Sequence, residues 1–142
     1  MKQERAISLT GADLLANQEL DRRFCEGMSA KDIEQVMSCA WDSPGLTFVD
    51  FEGNVVRGPD DFRKVVEGLF GQCESLRLVI NEISHIRAGE TVFAVGTATY
   101  DMRAKDGASQ RITERWTDVR IKVDGRWVYA LDHTHLLASP TP

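Results

Sequence analysis

The apolar positions of this chain follow two periods, helical in the first half and strand-like in the second. Leu20, Phe24 and Met28 fall at i, i+4 and i+8, one stripe that predicts a helix from about Ala12 to Met28. Gly27 and Ser29 end it. Ile33, Val36, Met37 and Ala40 recur at i, i+3, i+4 and i+7 and predict a short second helix. The stretch from Ser29 to Asp32 before it resembles a capping arrangement. The run Asp42, Ser43, Pro44, Gly45 breaks that helix. Leu46 to Asp50 reads as a strand, Glu52 to Asn54 as a turn and Val55 to Arg57 as a short return. Gly58 and Pro59 open a third helix, with Asp60 and Asp61 near the positive end of its dipole. Phe62, Val65, Val66, Leu69 and Phe70 form its stripe, and Gly71 closes it.

From Ser75 onward the period shortens to two. Ser75 to Arg87 and Thr91 to Arg103 read as strands, the second rich in Val, Thr, Phe and Tyr. Then RITERWTDVRIKV, Asp124-Gly125 and RWVYALDHTH form the strongest local signal of the chain. Asp-Gly between alternating runs specifies a type I′ hairpin, whose central residues both need positive φ. Three helices followed by long antiparallel strands predict an α+β fold, with the helices on one side of a curved sheet.

If Asp124-Gly125 is a two-residue turn, Val123 pairs with Arg126 and the register follows outward. One face then carries Ile121 with Val128, Val119 with Ala130, Thr117 with Asp132, and Arg115 with Thr134. The other carries Lys122 with Trp127, Arg120 with Tyr129, Asp118 with Leu131, and Trp116 with His133. The first face is aliphatic near the turn and polar farther out, which suits the wall of a cavity. The second mixes aromatic and charged groups, which suits a subunit contact. A one-residue bulge would exchange the two faces.

Composition narrows the function classes. The 142 residues are 42% hydrophobic and 27% charged, with net charge −5, so one domain with a substantial core is expected over residues 1–142, residues 1–10 loosely ordered. Lys and Arg never cluster beyond two adjacent residues, which gives nucleic-acid binding no electrostatic support. No apolar run approaches the roughly 20 residues of a membrane helix, and the N-terminal stretch is too polar for a signal peptide. Cys25, Cys39 and Cys73 are odd in number and lack metal spacing, so they read as small buried hydrophobes in a cytoplasmic protein.

The stretches Leu46–Gly53, Gly58–Phe62 and Asp124–His135, in this order of elements, resemble the SnoaL-like branch of the nuclear-transport-factor-like superfamily. The superfamily includes ketosteroid isomerase, scytalone dehydratase, polyketide cyclases and the association domain of calmodulin-dependent kinase. The resemblance implies a cone-shaped, cystatin-like α+β barrel, a curved, largely antiparallel sheet wrapped around three N-terminal helices. It also implies an apolar pocket for a small organic ligand, and a homodimer paired through the sheet. Asp50 stands where ketosteroid isomerase has its general base. The second acid of that enzyme falls at Thr117 or Asp118, and its helix tyrosine is replaced by the region of Phe24. The two histidines of the scytalone dehydratase pattern have counterparts only in His133 and His135.

The candidate chemistry follows. Asp50 against an apolar wall of Trp41, Phe48, Phe62 and Val66 would have a raised pKa and act as a base; otherwise it closes the turn before Gly53. Asp132 and Arg115 would form an inward pair that orients a carbonyl or binds an anion, or a structural ion pair. His133 is a further acid–base candidate. Phe24, Tyr100, Thr117 and Thr134 complete the expected lining. His133 and His135 share a strand face and could chelate an ion only with Glu114 as third ligand, and neither metal nor cofactor is expected. The resulting expectation is a cofactor-free isomerase, cyclase or dehydratase working by proton transfer. The alternative is a non-catalytic dimerisation or ligand-binding module with a vestigial pocket.

Overall fold

The structure, a computed structural model, describes residues 8–137. The helices are α1 (Gly11–Ser29), α2 (Ile33–Ser38) and α3 (Pro59–Gln72). The strands are β1 (Thr47–Val49), β2 (Val55–Arg57), β3 (Cys73–Ala88), β4 (Thr91–Ala104), β5 (Ser109–Val123) and β6 (Arg126–Leu136). They form one six-stranded sheet in the order β2-β1-β6-β5-β4-β3, whose two edges do not close on each other. β1 runs parallel to β6 and every other pairing is antiparallel. The fold is cystatin-like α+β, as the element order predicts.

Local chemistry explains most boundaries. Asp124 and Gly125 both take positive φ, 50° and 78°, as a type I′ turn requires. Asp32 caps α2 by accepting the Gln35 amide at 3.1 Å. Ser29 does not share in that cap; its Oγ accepts the Leu78 amide at 3.0 Å and ties the end of α1 to β3. The exit of α2 is stitched to β6, where Trp41 N donates to Tyr129 O and Tyr129 N donates to Cys39 O. Residues 1–7, where loose order was expected, lie outside the described residues. Leu9 is already buried, and Ser8 bridges to Ile86.

Bulges bend the sheet. The register slips by one residue between Ile80 and Glu82 on β3, and again on β6, where Val119 opposes Leu131 while Arg120 opposes Tyr129. The extra residue on β6 is Ala130. Between the turn and Tyr129 the pairing is the one read from the sequence; beyond Ala130 it is displaced by one. The consequence is an inward row of His85, Ala94, Asp118 and Asp132 across four strands, and beside it a row of Ile83, Gly96, Trp116 and Thr134. Thr117 and Arg115 turn outward and are exposed. The charged and aromatic face assigned to a subunit contact is therefore, on β5, the inner wall of the cone.

The main core packs Met28, Val36, Phe62, Val66, Leu76 and Trp116 between helices and sheet. Gly96 makes room for Trp116. A Cβ there would lie 2.4 Å from the indole and 2.5 Å from the Glu82 carbonyl oxygen. Gly96→Ala should therefore destabilise the protein by roughly 1–3 kcal/mol through overpacking. Urea unfolding followed by tryptophan fluorescence measures this, and an unchanged midpoint would show that the ring relaxes freely.

Candidate functional site

Between the helices and the concave face of the sheet lies a two-part cavity. A narrow inner section of about 50 Å³ reaches Asp21, Asp118 and Tyr129. A wider outer section of about 460 Å³ opens past Phe51, Val65 and Leu69. That volume is in the range of small-molecule sites. Phe24, Phe48, Phe62, Tyr100, Glu114 and Asp132 line both sections and mark their junction. Phe48 and Phe62 meet edge to face, their centroids 5.7 Å apart, and stiffen one side of it.

At the inner end a fully buried guanidinium organises the polar groups. Arg120 Nη2 donates to Asp21 Oδ1 at 2.6 Å and to Asp118 Oδ2 at 3.1 Å. Its Nε donates to Asp118 Oδ1 at 2.9 Å, and its Nη1 donates to Asp21 Oδ2 at 3.0 Å and to Asn17 O at 3.3 Å. A guanidinium has five N–H donors, and all five are engaged. Tyr129 Oη donates to Asp21 Oδ1 at 2.6 Å, and His85 Nε2 meets Asp21 Oδ2 at 3.0 Å. Burial alone would raise the Asp21 pKa; the hydrogen bonds from His85, Arg120 and Tyr129, with the Arg120 charge, outweigh it and hold the carboxylate below its ordinary value. Trp116 Nε1 donates to Asp118 Oδ2 at 2.9 Å, so the network also fixes an aromatic wall of the cavity.

Two other carboxyls are left unsatisfied. Glu114 Oε2 and Asp132 Oδ1 are fully buried and have no hydrogen-bond partner among the described residues. Burial pushes the Glu114 pKa up to about 8. Asp132 is raised well above the usual carboxylate range, by burial first and then by the Asp118 and Glu114 charges, with Arg120 opposing. Carboxyls raised in this way at a cavity wall are candidates for acid–base chemistry. Burial also keeps the Tyr100 phenol and the Cys25 thiol protonated, the latter up to about 12.

The residues singled out from sequence are distributed as follows. Phe24, Phe48, Phe62, Tyr100 and Asp132 reach both sections, and Val66 and Thr134 the outer one. Asp50 stands at the mouth of the outer section. Its pKa is lowered rather than raised, because the Asn54 amide and side chain and the Glu52 amide donate to it and hold it as the clasp of the β1–β2 turn. Arg115 does not pair with Asp132; it points outward, 3.7 Å from Glu82, with both groups largely solvated. Thr117 and His133 oppose each other on the outer face and are exposed. Trp41 lines neither section and covers Gly45 instead. Glu114 and His135 belong to opposite faces of the sheet, so the three-ligand metal arrangement is not formed, and no cluster suited to a metal occurs among the described residues.

Sequence reasoning missed Asp21 and Arg120, raised Asp118 only as the alternative to Thr117, and considered Glu114 only as a third metal ligand. Asp21 carried a signal, since Asn17, Asp21, Phe24 and Met28 fall on one helical face, a polar pair inside an otherwise apolar stripe. The other three depended on the face of β5, which the bulge at Ala130 decides.

The SnoaL-like domain model matches residues 22–130. No curated protein matches the chain. Among solved structures, the chain is similar to a hexachlorocyclohexane dehydrochlorinase (LinA) type 2, with TM-score 0.81 and 15% identity over 92% of this chain and 90% of that one. It is likewise similar to a nuclear-transport-factor-2-like superfamily protein of Salmonella enterica serovar Typhimurium, with TM-score 0.79 and 18% identity over 87% and 89%. A cystatin-like protein of Caulobacter vibrioides gives TM-score 0.76 and 19% identity over 90% and 92%. At these identities the structural likeness speaks to fold alone. The family match spans most of the sequence, and the chain belongs to the SnoaL-like domain family.

Proposed function

We propose that this protein binds a small, largely apolar organic molecule in its cone and moves a proton on it without a cofactor, as an isomerase or lyase. One observation carries the reading. Two buried carboxyls, Glu114 and Asp132, present unpartnered oxygens at the junction of an open, aromatic-lined cavity. A structural acid would have found a partner, as Asp21 and Asp118 do. Asp132 is the protonated donor that polarises a ligand oxygen. Glu114 accepts or returns the proton, being ionisable near neutrality. The outer section stands open instead of being filled by side chains, which favours a working site over a vestigial one. One structural neighbour is named a dehydrochlorinase, and loss of hydrogen chloride is a proton removal of the same kind. A homodimer through the outer face of the sheet, where Phe93, Val119 and Leu131 form an apolar row, belongs to the same proposal.

The test is exchange of α-protons of 2-tetralone in deuterated buffer, followed by proton NMR. Wild-type protein should accelerate exchange over buffer, and Glu114→Gln with Asp132→Asn should lose about 100-fold of that acceleration. Asp50→Asn should keep it, since the turn occupies that carboxylate. Equal rates in the double variant and the wild type, or no acceleration by the wild type, would end the proposal.

A further inference from the structure

The lining of the cavity has an unusual charge balance. Among the described residues, five acidic side chains, Asp21, Asp50, Glu114, Asp118 and Asp132, border its two sections, and no Lys, Arg or His does. The nearest cation, Arg120, is buried behind Asp21 and Asp118 with every donor engaged, so it has nothing to offer an incoming anion. Three of the five acids are already satisfied, Asp21 and Asp118 by the Arg120 network and Asp50 by its turn. Glu114 and Asp132 are not. Around these two stand the faces and edges of Phe24, Phe48, Tyr100 and Trp116. Aromatic rings with carboxylates between them are the surroundings that an organic ammonium finds favourable, through ring quadrupole and ion pair together. An anion would meet five acids and no cation in this lining, with Thr47, Gln72, Gln110 and Thr134 as its neutral polar groups.

We infer that the cavity takes an organic amine, its ammonium facing Glu114 and Asp132 and its apolar body against the aromatic walls. This rests on the reading of the cavity as a ligand site and deepens its chemistry. A ligand ammonium supplies the counter-charge that lets one of the two carboxyls ionise at neutral pH while the other stays protonated, which is the division an acid–base pair needs.

The inference has a pH signature. The groups facing the two carboxyls are Asp21 and Cys25 from α1, Cys73 from β3, Tyr100 from β4, Asp118 and Arg120 from β5, Tyr129 from β6, and Asp50 at the mouth after β1; α3 contributes only uncharged side chains to the lining. Asp21, Asp50 and Arg120 keep their charges near neutrality through their partners, and Tyr100, Tyr129 and Cys25 stay neutral. The empty site therefore holds protons on Glu114 and Asp132, and a cation must displace one to bind. Amine affinity should rise as pH goes from 6 to 8.

The experiment is calorimetric titration of the full chain with three probes of similar body, 2-phenylethylamine, 2-phenylethanol and 3-phenylpropionate. The amine should bind at least tenfold tighter than the alcohol at pH 8, with proton release to buffer, and the propionate should give no heat. The Glu114→Gln, Asp132→Asn double variant should bind amine and alcohol alike. These isosteres remove charges that burial already opposes; should the variant nevertheless fail to fold, the ranking of the three probes on wild type decides by itself. Alcohol binding as tightly as amine, or any propionate binding, overturns the amine inference and leaves the ligand site standing. Absence of binding by all three overturns both.

Discussion

Arg120→Met should destabilise the protein by about 3–5 kcal/mol at pH 7, the usual cost of removing one partner of a buried charge cluster. Among the described residues, Arg120 is the sole counter-charge within hydrogen-bond reach of Asp118 and, with His85 and Tyr129, holds Asp21. Methionine matches much of its volume but leaves two buried carboxylates facing each other. The pH dependence distinguishes this from a packing defect. In the wild type Asp21 has a depressed pKa, so its contribution is full above its unfolded value of about 3.8 and is lost as pH falls through the folded value. In the variant, burial and repulsion raise the aspartate pKa values, and the penalty shrinks as acid protonates them. Urea unfolding at pH 7 and pH 4.5 should therefore show a large gap between the proteins at the first and a smaller one at the second. A gap of equal size at both would mean that lost packing, not charge, is responsible.

Glu114→Gln should act in the opposite direction. The Glu114 pKa rises from 4.5 to about 8 on folding. A group raised in this way favours the folded state fully below the unfolded value, and that advantage disappears as pH climbs through the folded value. Each unit of difference corresponds to about 1.4 kcal/mol. Wild-type stability should accordingly decline between pH 4.5 and 8, and the glutamine variant should flatten the decline and exceed the wild type by roughly 2–4 kcal/mol at pH 8.5. Thermal melts across that range measure it. A variant as pH-sensitive as the wild type would place the titration elsewhere, Asp132 being the next candidate. Loss of proton-transfer activity together with a gain of stability is the pattern expected when a site keeps a destabilising charge for its chemistry.

The fold was legible because its signals are local. Stripes such as Phe62, Val66 and Leu69 on α3, the change of period at Ser75 and the Asp124-Gly125 turn each act over a few residues, and each element appears where its pattern stands. The aromatic lining was legible for the same reason, since Phe24, Phe48 and Phe62 sit on the buried sides of elements that periodicity defines. The acidic centre was not. One unpaired residue, Ala130, moves β5 against β6 by a single position and exchanges Arg115 and Thr117 for Glu114, Trp116 and Asp118 on the inner wall. A small residue at a bulge leaves no mark in an alternating strand. The cluster around Arg120 joins side chains 99 positions apart, a relation that only the folded chain displays.

The parallel pairing of β1 with β6 sets an order of assembly. Phe48 and Asp132, opposite each other in that pairing, stand 84 positions apart in the sequence, and the hydrogen bonds from Trp41 and to Cys39 likewise wait for Tyr129. The helices and the β3–β5 meander have their partners earlier in synthesis. The early hairpin of β1 and β2 must stay undocked until the last strand emerges and slots in beside it. Non-local pairings of this kind slow folding, because loop closure must precede the contacts that reward it. The hollow between helices and sheet therefore takes shape only once β6 is in place, and a growing polypeptide lacks it until then.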